Sequence, residues 1–139
     1  MERSLVLIKP VAMGTGRGGA IISRLEKMGL RVVGLKMLNM DKALAHRHYA
    51  AHEGKPFFES LVDYMTSAPI MAIAFEGEGA VEAIRKEMGA TDPLKAESGT
   101  IRADFGLDIR RNAVHGSDSV AAAEKEIGLF FADDELFPG

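Results

Sequence analysis

Three short apolar runs constrain this chain more than any other feature of its sequence. They are SLVLIK (4–9), LRVVGLKML (30–38) and IMAIAF (70–75). Short runs of this kind, rich in β-branched residues and bounded by Pro or Gly, are typical of buried strands. Each run is followed by a segment whose apolar residues recur at helical spacing. The alternation predicts a sheet with covering helices.

The remaining elements follow from cap and stop signals. Asp41 occupies an N-cap position before a helix over 42–52, and Pro56 fits the first turn of the next helix. The other predicted helices and strand are 20–29, 79–89, 119–131 and a brief strand at 112–115. Residues 11–19 and 90–100 are predicted loops. The order β-α-β-α-α-β-α-loop-β-α predicts an α/β (α+β) protein with a ferredoxin-like four-stranded antiparallel sheet.

Composition narrows the class of protein. A chain of 139 residues fits one domain, 1–139, and is long enough to bury a core. It has no cysteine, so disulfide and thiolate chemistry are excluded. The formal charge of −3 gives no basic field for coating nucleic acid, and no apolar run is long enough to span a bilayer. We expect a cytoplasmic protein with no membrane or specific nucleic-acid partner.

A glycine-rich segment raises the possibility of dinucleotide binding, with a plain flexible loop as the alternative. Gly14-x-Gly16-x-x-Gly19 follows a strand and precedes a helix, and Asp41 lies further on. This pattern satisfies a dinucleotide-binding fingerprint on paper. The strand, however, ends at Lys9, which leaves a loop longer than that fingerprint requires. A flexible loop is the favoured interpretation, and a dinucleotide-dependent oxidoreductase is the alternative.

The stretch RNAVHGSDSVAAAEKEI (111–127) places a single histidine, His115, between an apolar pair and a helix start. Gly116 leaves space beside the imidazole, and Ser117, Asp118 and Ser119 are all N-cap residues. The N-terminal amides of a helix favour a nearby anion. A packing histidine is the plain alternative.

A distance argument links His115 to Glu126. Glu126 lies about 10 Å along the helix from Ser119, and His115 lies about 10 to 13 Å before the same turn. If the strand folds back along the helix, the two side chains come level. A carboxylate beside an imidazole fixes its tautomer and stabilises positive charge on the ring. Such a histidine acts as a base or as a nucleophile.

Three further histidines, His46, His48 and His52, share one predicted helix. His48 and His52 have the i, i+4 spacing of a metal-binding pair. No third ligand is evident, so a solvated helix face is the favoured interpretation.

With these residues in view, the chain resembles the nucleoside diphosphate kinase family. NAVHGSDS (112–119) matches the family's signature Asn-x-x-His-Gly-Ser-Asp-Ser at every position. Blocks matching the family flank it across nearly the whole chain: LVLIKP, HYAAHEGKPFFESLVDYMTSAP, RKEMGATDP, GTIRADF and AEKEI. The match is far more specific than the glycine pattern.

The resemblance implies an enzyme that moves the terminal phosphate of a nucleoside triphosphate to a nucleoside diphosphate through a phosphohistidine. It implies that His115 is phosphorylated, that Glu126 and Ser117 support it, and that Lys9 meets the transferred phosphate. It also implies that Tyr49 lies near the active site and that Asn112 bonds the sugar. Phe57 is implied to stack on the base, with Leu61 and Ile109 beside it. The residues implied to hold the phosphates are Arg85, Thr91 and Arg102.

Other expectations also come from the resemblance. Mg²⁺ is expected to arrive on the nucleotide phosphates, and the chain to form a homo-oligomer, either a tetramer or a hexamer. The sequence departs from the family at Val11, Thr15, Ala20 and Ala103, which concerns the first loop and subunit contacts rather than the implied phosphate or sugar contacts. A non-catalytic nucleotide sensor or scaffold of the same fold remains a second alternative.

Overall fold

The computed structural model describes residues 2–108 and 111–138. Within them, four strands form one antiparallel sheet in the order β2-β3-β1-β4. The strands are β1 (Glu2–Ile8), β2 (Arg31–Leu38), β3 (Ile70–Gly77) and β4 (Val114–Gly116). β1 and β2 therefore run parallel with β3 between them, which is the split β-α-β arrangement. This topology confirms the predicted ferredoxin-like fold.

Seven α-helices cover this sheet in the described part of the chain. They are α1 (Pro10–Gly14), α2 (Gly18–Glu26), α3 (Lys42–His48), α4 (Phe58–Met65), α5 (Ala80–Met88), α6 (Ile101–Phe105) and α7 (Val120–Phe130), with 3₁₀ turns at Ala50–His52 and Asp133–Glu135. The predicted cap at Asp41 is present, because its Oδ1 accepts a hydrogen bond from the Leu44 amide at 2.7 Å. Ser119 caps α7 by accepting from the Ala122 amide at 3.0 Å.

Three local predictions are wrong. Pro56 does not lie in the first turn of a helix, because α4 begins at Phe58 with Phe57 as its N-cap. The segment 11–19 is not a loop, since α1 and the start of α2 occupy it. Pro10 stands at the first position of α1, where its fixed φ favours a helix, so it starts one element as well as ending another. The predicted helix over 42–52 ends as an α-helix at His48 and continues only as a 3₁₀ turn.

The dinucleotide interpretation fails on the same segment. The helix α1 stands between β1 and the glycines, so no tight strand-to-helix turn exists. Gly14 ends α1, whereas Gly18 and Gly19 lie within α2. The sheet is antiparallel, and the dinucleotide fingerprint belongs to parallel β-α-β units.

The sheet buries both of its faces. Leu5 and Leu7 of β1 pack on the face covered by α3, α4 and α7. Val6 and Ile8 pack on the opposite face, against α2 and α5. Because side chains alternate along a strand, this register also orients β4. Val114 lies on the α5 face, so His115 points toward α3 and α7.

Gly116 is required by a close approach between β4 and α5. A Cβ at Gly116 would lie 2.8 Å from Met88 Sδ and 3.0 Å from Ile84 Cγ2. The absence of a side chain therefore lets the short strand β4 pack directly on α5. Among the described residues, no helix combines the length and the apolar composition that crossing a bilayer demands.

We predict that Gly116→Ala lowers the free energy of unfolding by about 1–3 kcal/mol, because the added methyl overpacks the contact with Met88 and Ile84. Gly128→Ala is the matched control. Gly128 lies in α7, and no atom of the described residues comes within 4 Å of an added Cβ, so the change should stabilise the helix by about 0.5–1 kcal/mol. Urea unfolding at one protein concentration measures both, and equal effects would contradict the close-packing account.

Candidate active site

A chain of hydrogen bonds ties His115 to the centre of the sheet. His115 Nε2 lies 2.8 Å from Glu126 Oε1. Ser117 Oγ donates to the same carboxylate oxygen at 2.8 Å and accepts from the Leu5 amide at 3.2 Å. The predicted alignment of His115 with Glu126 is therefore confirmed, and β1, β4 and α7 together hold it.

The protonation states follow from the surroundings of the pair. Burial lowers the pKa of His115 below its usual value, although the hydrogen bond to Glu126 acts in the opposite direction. Burial raises the pKa of Glu126, but the hydrogen bonds from His115 and Ser117 outweigh it and hold that pKa below its usual value. A neutral imidazole thus faces a carboxylate. Its proton is on Nε2, which donates to Glu126, so Nδ1 keeps its lone pair.

Lys9 and Arg102 act electrostatically on the same imidazole. Both charges lower the pKa of His115. Burial, and then the neighbouring Arg102, lower the pKa of Lys9 to about 8. The backbone amide of Lys9 donates to the carbonyl of Ala113 at 2.9 Å, which fixes the end of β1 beside β4.

Arg102 connects α6 to the end of α5 and to β4. Its guanidinium donates to the carbonyl of Gly89 at 3.1 Å and to that of Val114 at 3.2 Å. Its Nε is buried, and no residue in the described part of the chain is hydrogen-bonded to it. Burial, and then the charge of Arg85, lower the pKa of Arg102 to about 10. Arg102 of α6 is therefore close enough to repel both Lys9, which directly follows β1, and Arg85 of α5, and such a site favours an anion.

Gly89 permits this convergence at the end of α5. Its φ of +84° lies in the left-handed region. A Cβ there would lie 2.5 Å from Thr100 Oγ1, the cap of α6. The helix carrying Arg85 can therefore end directly against the helix carrying Arg102.

Asn112 organises the loop before β4. Its Nδ2 donates to the carbonyl of Thr91 at 2.5 Å, and its Oδ1 accepts from the Ala113 amide at 2.8 Å. The hydroxyl of Tyr64 donates to the Asn112 carbonyl at 2.7 Å and accepts from the Val11 amide at 2.9 Å. Tyr64 is a site-building residue that the sequence analysis missed, because its helical spacing on α4 is that of an ordinary core residue.

The remaining expected site residues lie around this centre. Tyr49 is buried near Glu126, and burial followed by that charge raises the pKa of its hydroxyl. Phe57 is half-buried and contacts the ring of His52 at 5.3 Å between centroids. Leu61 packs against the core on the α4 side. Ile109 lies outside the described residues.

His48 was also missed as part of the site. The ring centroid of His48 lies 4.9 Å from that of His115 in an edge-to-face contact, so the expected solvated helix face is wrong for this residue. The i, i+4 pairing with His52 assumed one continuous α-helix, whereas α3 ends at His48.

Comparison with known proteins decides the family. The family model described as nucleoside diphosphate kinase matches residues 2–136. This chain belongs to that family. A nucleoside diphosphate kinase of Dehalococcoides mccartyi is 57% identical over 136 residues, covering 98% of this chain and 96% of the relative. One from Archaeoglobus fulgidus is 52% identical, covering 98% and 90%.

Solved structures of nucleoside diphosphate kinases have the same fold. The halophilic enzyme from Halobacterium salinarum, solved in complex with CDP, is 48% identical. The match has a TM-score of 0.97 and covers 99% of this chain and 92% of that one. The Aquifex aeolicus enzyme is 38% identical with a TM-score of 0.94, covering 97% and 98%.

We predict that Ser117→Ala lowers the free energy of unfolding by about 2 kcal/mol, since it removes a buried hydrogen bond to a carboxylate and leaves the Leu5 amide without that partner. Ser23→Ala on the exposed face of α2 is the control, with an expected change within about 0.5 kcal/mol. Denaturant unfolding compares the two, and indistinguishable variants would show that the Ser117 bond is not stabilising.

Proposed function

We propose that this chain is a nucleoside diphosphate kinase in which His115 Nδ1 accepts the phosphoryl group. The observation that carries the proposal is the bond between His115 Nε2 and Glu126, which directs the free lone pair to Nδ1. Family membership supports the reaction class, and the cation cluster supports an anionic substrate.

The first half-reaction uses this lone pair. Nδ1 attacks the terminal phosphorus of the triphosphate, and the bond from that phosphorus to the bridging oxygen breaks. The diphosphate leaves with the electron pair of that bond. The imidazole becomes positively charged as the N–P bond forms, and the Glu126 carboxylate stabilises this charge through Nε2–H. In the second half-reaction a terminal oxygen of another diphosphate attacks the same phosphorus, and Nδ1 recovers its lone pair.

The cations neutralise the transferred group. Phosphoryl transfer depends mainly on positioning and on stabilising spread negative charge. We assign this role to Lys9, Arg102 and Arg85, with Thr91 beside them at the phosphates. Binding of the nucleotide would also relieve the repulsion that, after burial, lowers the pKa of Lys9 and of Arg102.

Mg²⁺ is proposed to enter with the nucleotide as part of the substrate. It prefers oxygen ligands and readily takes them from phosphates. The carboxylate of Glu126 is engaged by His115 and Ser117 instead. The groups assigned to the phosphates are cationic or neutral, so the metal complements them without a protein cage.

We assign the nucleoside part of the substrate to the loop before β4 and to residues on and next to α4. Asn112 is proposed to bond the sugar, and Phe57 to stack on the base with Leu61 and Ile109 as apolar neighbours. Stacking reads a π-face that every base has, so weak base preference is expected. Tyr49 is proposed to pack against the ring of His48 rather than to transfer a proton, because the pKa of its hydroxyl is raised.

We also propose that the chain works as a cytosolic homo-oligomer, a tetramer or a hexamer. In the described part of the chain, β2 lies at one edge of the sheet, and it carries the exposed side chains of Leu35 and Met37. An apolar sheet edge is suited to association with another copy. Light scattering on the purified chain decides between the two assemblies.

We predict that incubation with γ-labelled MgATP gives an acid-labile, alkali-stable label that is lost in His115→Ala. Glu126→Gln should still be labelled, but about 10²- to 10³-fold more slowly, because the positive imidazole loses its carboxylate. His46→Ala, an exposed histidine on α3, is the control and should be labelled at the normal rate. Persistent label in His115→Ala would refute the assigned nucleophile.

We predict that kcat/KM falls as the pH rises through about 8, because the free enzyme loses the Lys9 proton and with it one phosphate-binding charge. Lys9→Arg keeps the charge at alkaline pH and should move this decline upward, whatever its absolute rate. The pH profiles of the two proteins are compared. An identical alkaline limb in both would assign the titration to another group.

A further inference from the structure

His48 lies half-buried beside the active site, and the kinase reaction does not use it. Both of its ring nitrogens are buried and have no hydrogen-bond partner among the described residues. Its ring packs edge-to-face against His115, Tyr49 and Phe130, with centroids at 4.9, 4.5 and 5.3 Å. An unpartnered buried polar group costs about 1–3 kcal/mol, so a purely packing role would be served better by an apolar ring.

The nitrogens of His48 converge with two other ligand atoms. A nitrogen of His48, a nitrogen of His115 and a carboxylate oxygen of Glu126 all lie within 4.8 Å of one another. A tetrahedral ion about 2 Å from each ligand holds its ligands about 3.3 Å apart. Small side-chain rotations therefore bring the three ligand atoms to bonding distance of one ion. A cavity of about 300 Å³, whose lining includes these three residues, borders the cluster.

We propose that His48, His115 and Glu126 form an inhibitory site for Zn²⁺. Two imidazoles and one carboxylate are a ligand set that zinc accepts, and the fourth position stays open to water. The softer imidazole nitrogens favour Zn²⁺ over Mg²⁺, which prefers oxygen ligands. The site is therefore distinct from the metal that accompanies the nucleotide.

Zinc inhibits because it changes which ring nitrogen of His115 carries the proton. This step rests on the proposed function. Zinc takes the lone pair of Nε2, so the Nε2 proton must leave that nitrogen. The neutral ring then carries its proton on Nδ1, through exchange with solvent. Nδ1 no longer has a lone pair with which to attack phosphorus, and Glu126 is occupied by the metal. Zinc thus blocks phosphorylation of His115 without occupying the nucleotide position.

The direct test is metal binding to the full chain without nucleotide or Mg²⁺. Wild-type protein should bind one Zn²⁺ per chain in competition with a chromophoric chelator, and Co²⁺ should give the visible absorption of a tetrahedral site. His48→Phe keeps the aromatic packing and removes the ligand. Loss of an outer-shell partner alone costs about 10- to 100-fold in metal affinity, so this variant should bind at least about tenfold more weakly.

His46→Phe is the matched control, because it makes the same change on α3 outside the cluster, and its zinc affinity should equal that of wild type. His48→Gln provides a second variant should the phenylalanine prevent folding, which circular dichroism checks. Absence of stoichiometric zinc in wild type, or unchanged affinity in both His48 variants, would overturn the site.

A labelling arm separates this proposal from the kinase assignment. Zinc should abolish labelling of wild type by MgATP at concentrations that leave His48→Phe labelled at its own zinc-free rate. Protein that binds zinc through His48 but is never labelled, even without zinc, would refute the kinase assignment alone. Labelled protein that binds no zinc would refute the zinc site alone.

Discussion

The hydrogen bond between His115 and Glu126 is the interaction on which the site depends. It joins a three-residue edge strand to the helix that follows it, and Ser117 extends the bond to the backbone of β1. A neutral imidazole paired with a carboxylate has one defined tautomer. The bond therefore determines at once where the ring points and which of its nitrogens is able to react.

The buried cations near this pair make the site reactive, but they also lower the stability of the folded protein. Burial lowers the pKa of Lys9 and of Arg102. The charge of Arg102 lowers the pKa of Lys9 further, and the charge of Arg85 lowers that of Arg102 further. Like charges held together in a folded protein oppose folding until an anion binds. The extensive two-sided core of β1 and β3 supplies the stability against which these charges are held.

The sequence was sufficient to predict what depends on local pattern. The apolar runs predicted the central strands, and rise per residue along a strand and a helix predicted that His115 and Glu126 would meet. Gly116 was expected to give space to the imidazole, but its closest packing is against Met88 and Ile84 on the other face of β4. That contact depends on the position of α5, which no pattern around Gly116 encodes.

Contacts between residues far apart in the sequence could not be predicted from such local patterns. Arg85 and Arg102 meet because the path between α5 and α6 turns at Gly89, and residues 90–100 have no periodicity that specifies this path. Pro10 was interpreted only as the end of a strand, although it also begins α1. The place of His48 beside His115 depends on where α3 ends and on how it packs against α7.

The most direct test of this account is the tautomer of His115 in the nucleotide-free protein. Two-bond ¹H–¹⁵N correlation at neutral pH, assigned through the missing signal in His115→Ala, reports which ring nitrogen carries the proton. The account predicts a protonated Nε2 and an Nδ1 that bears a lone pair, as the bond to Glu126 requires. A proton on Nδ1 in the metal-free enzyme would contradict it, since the lone pair would then lie on Nε2, which faces Glu126, and not on the nitrogen assigned to attack the phosphate.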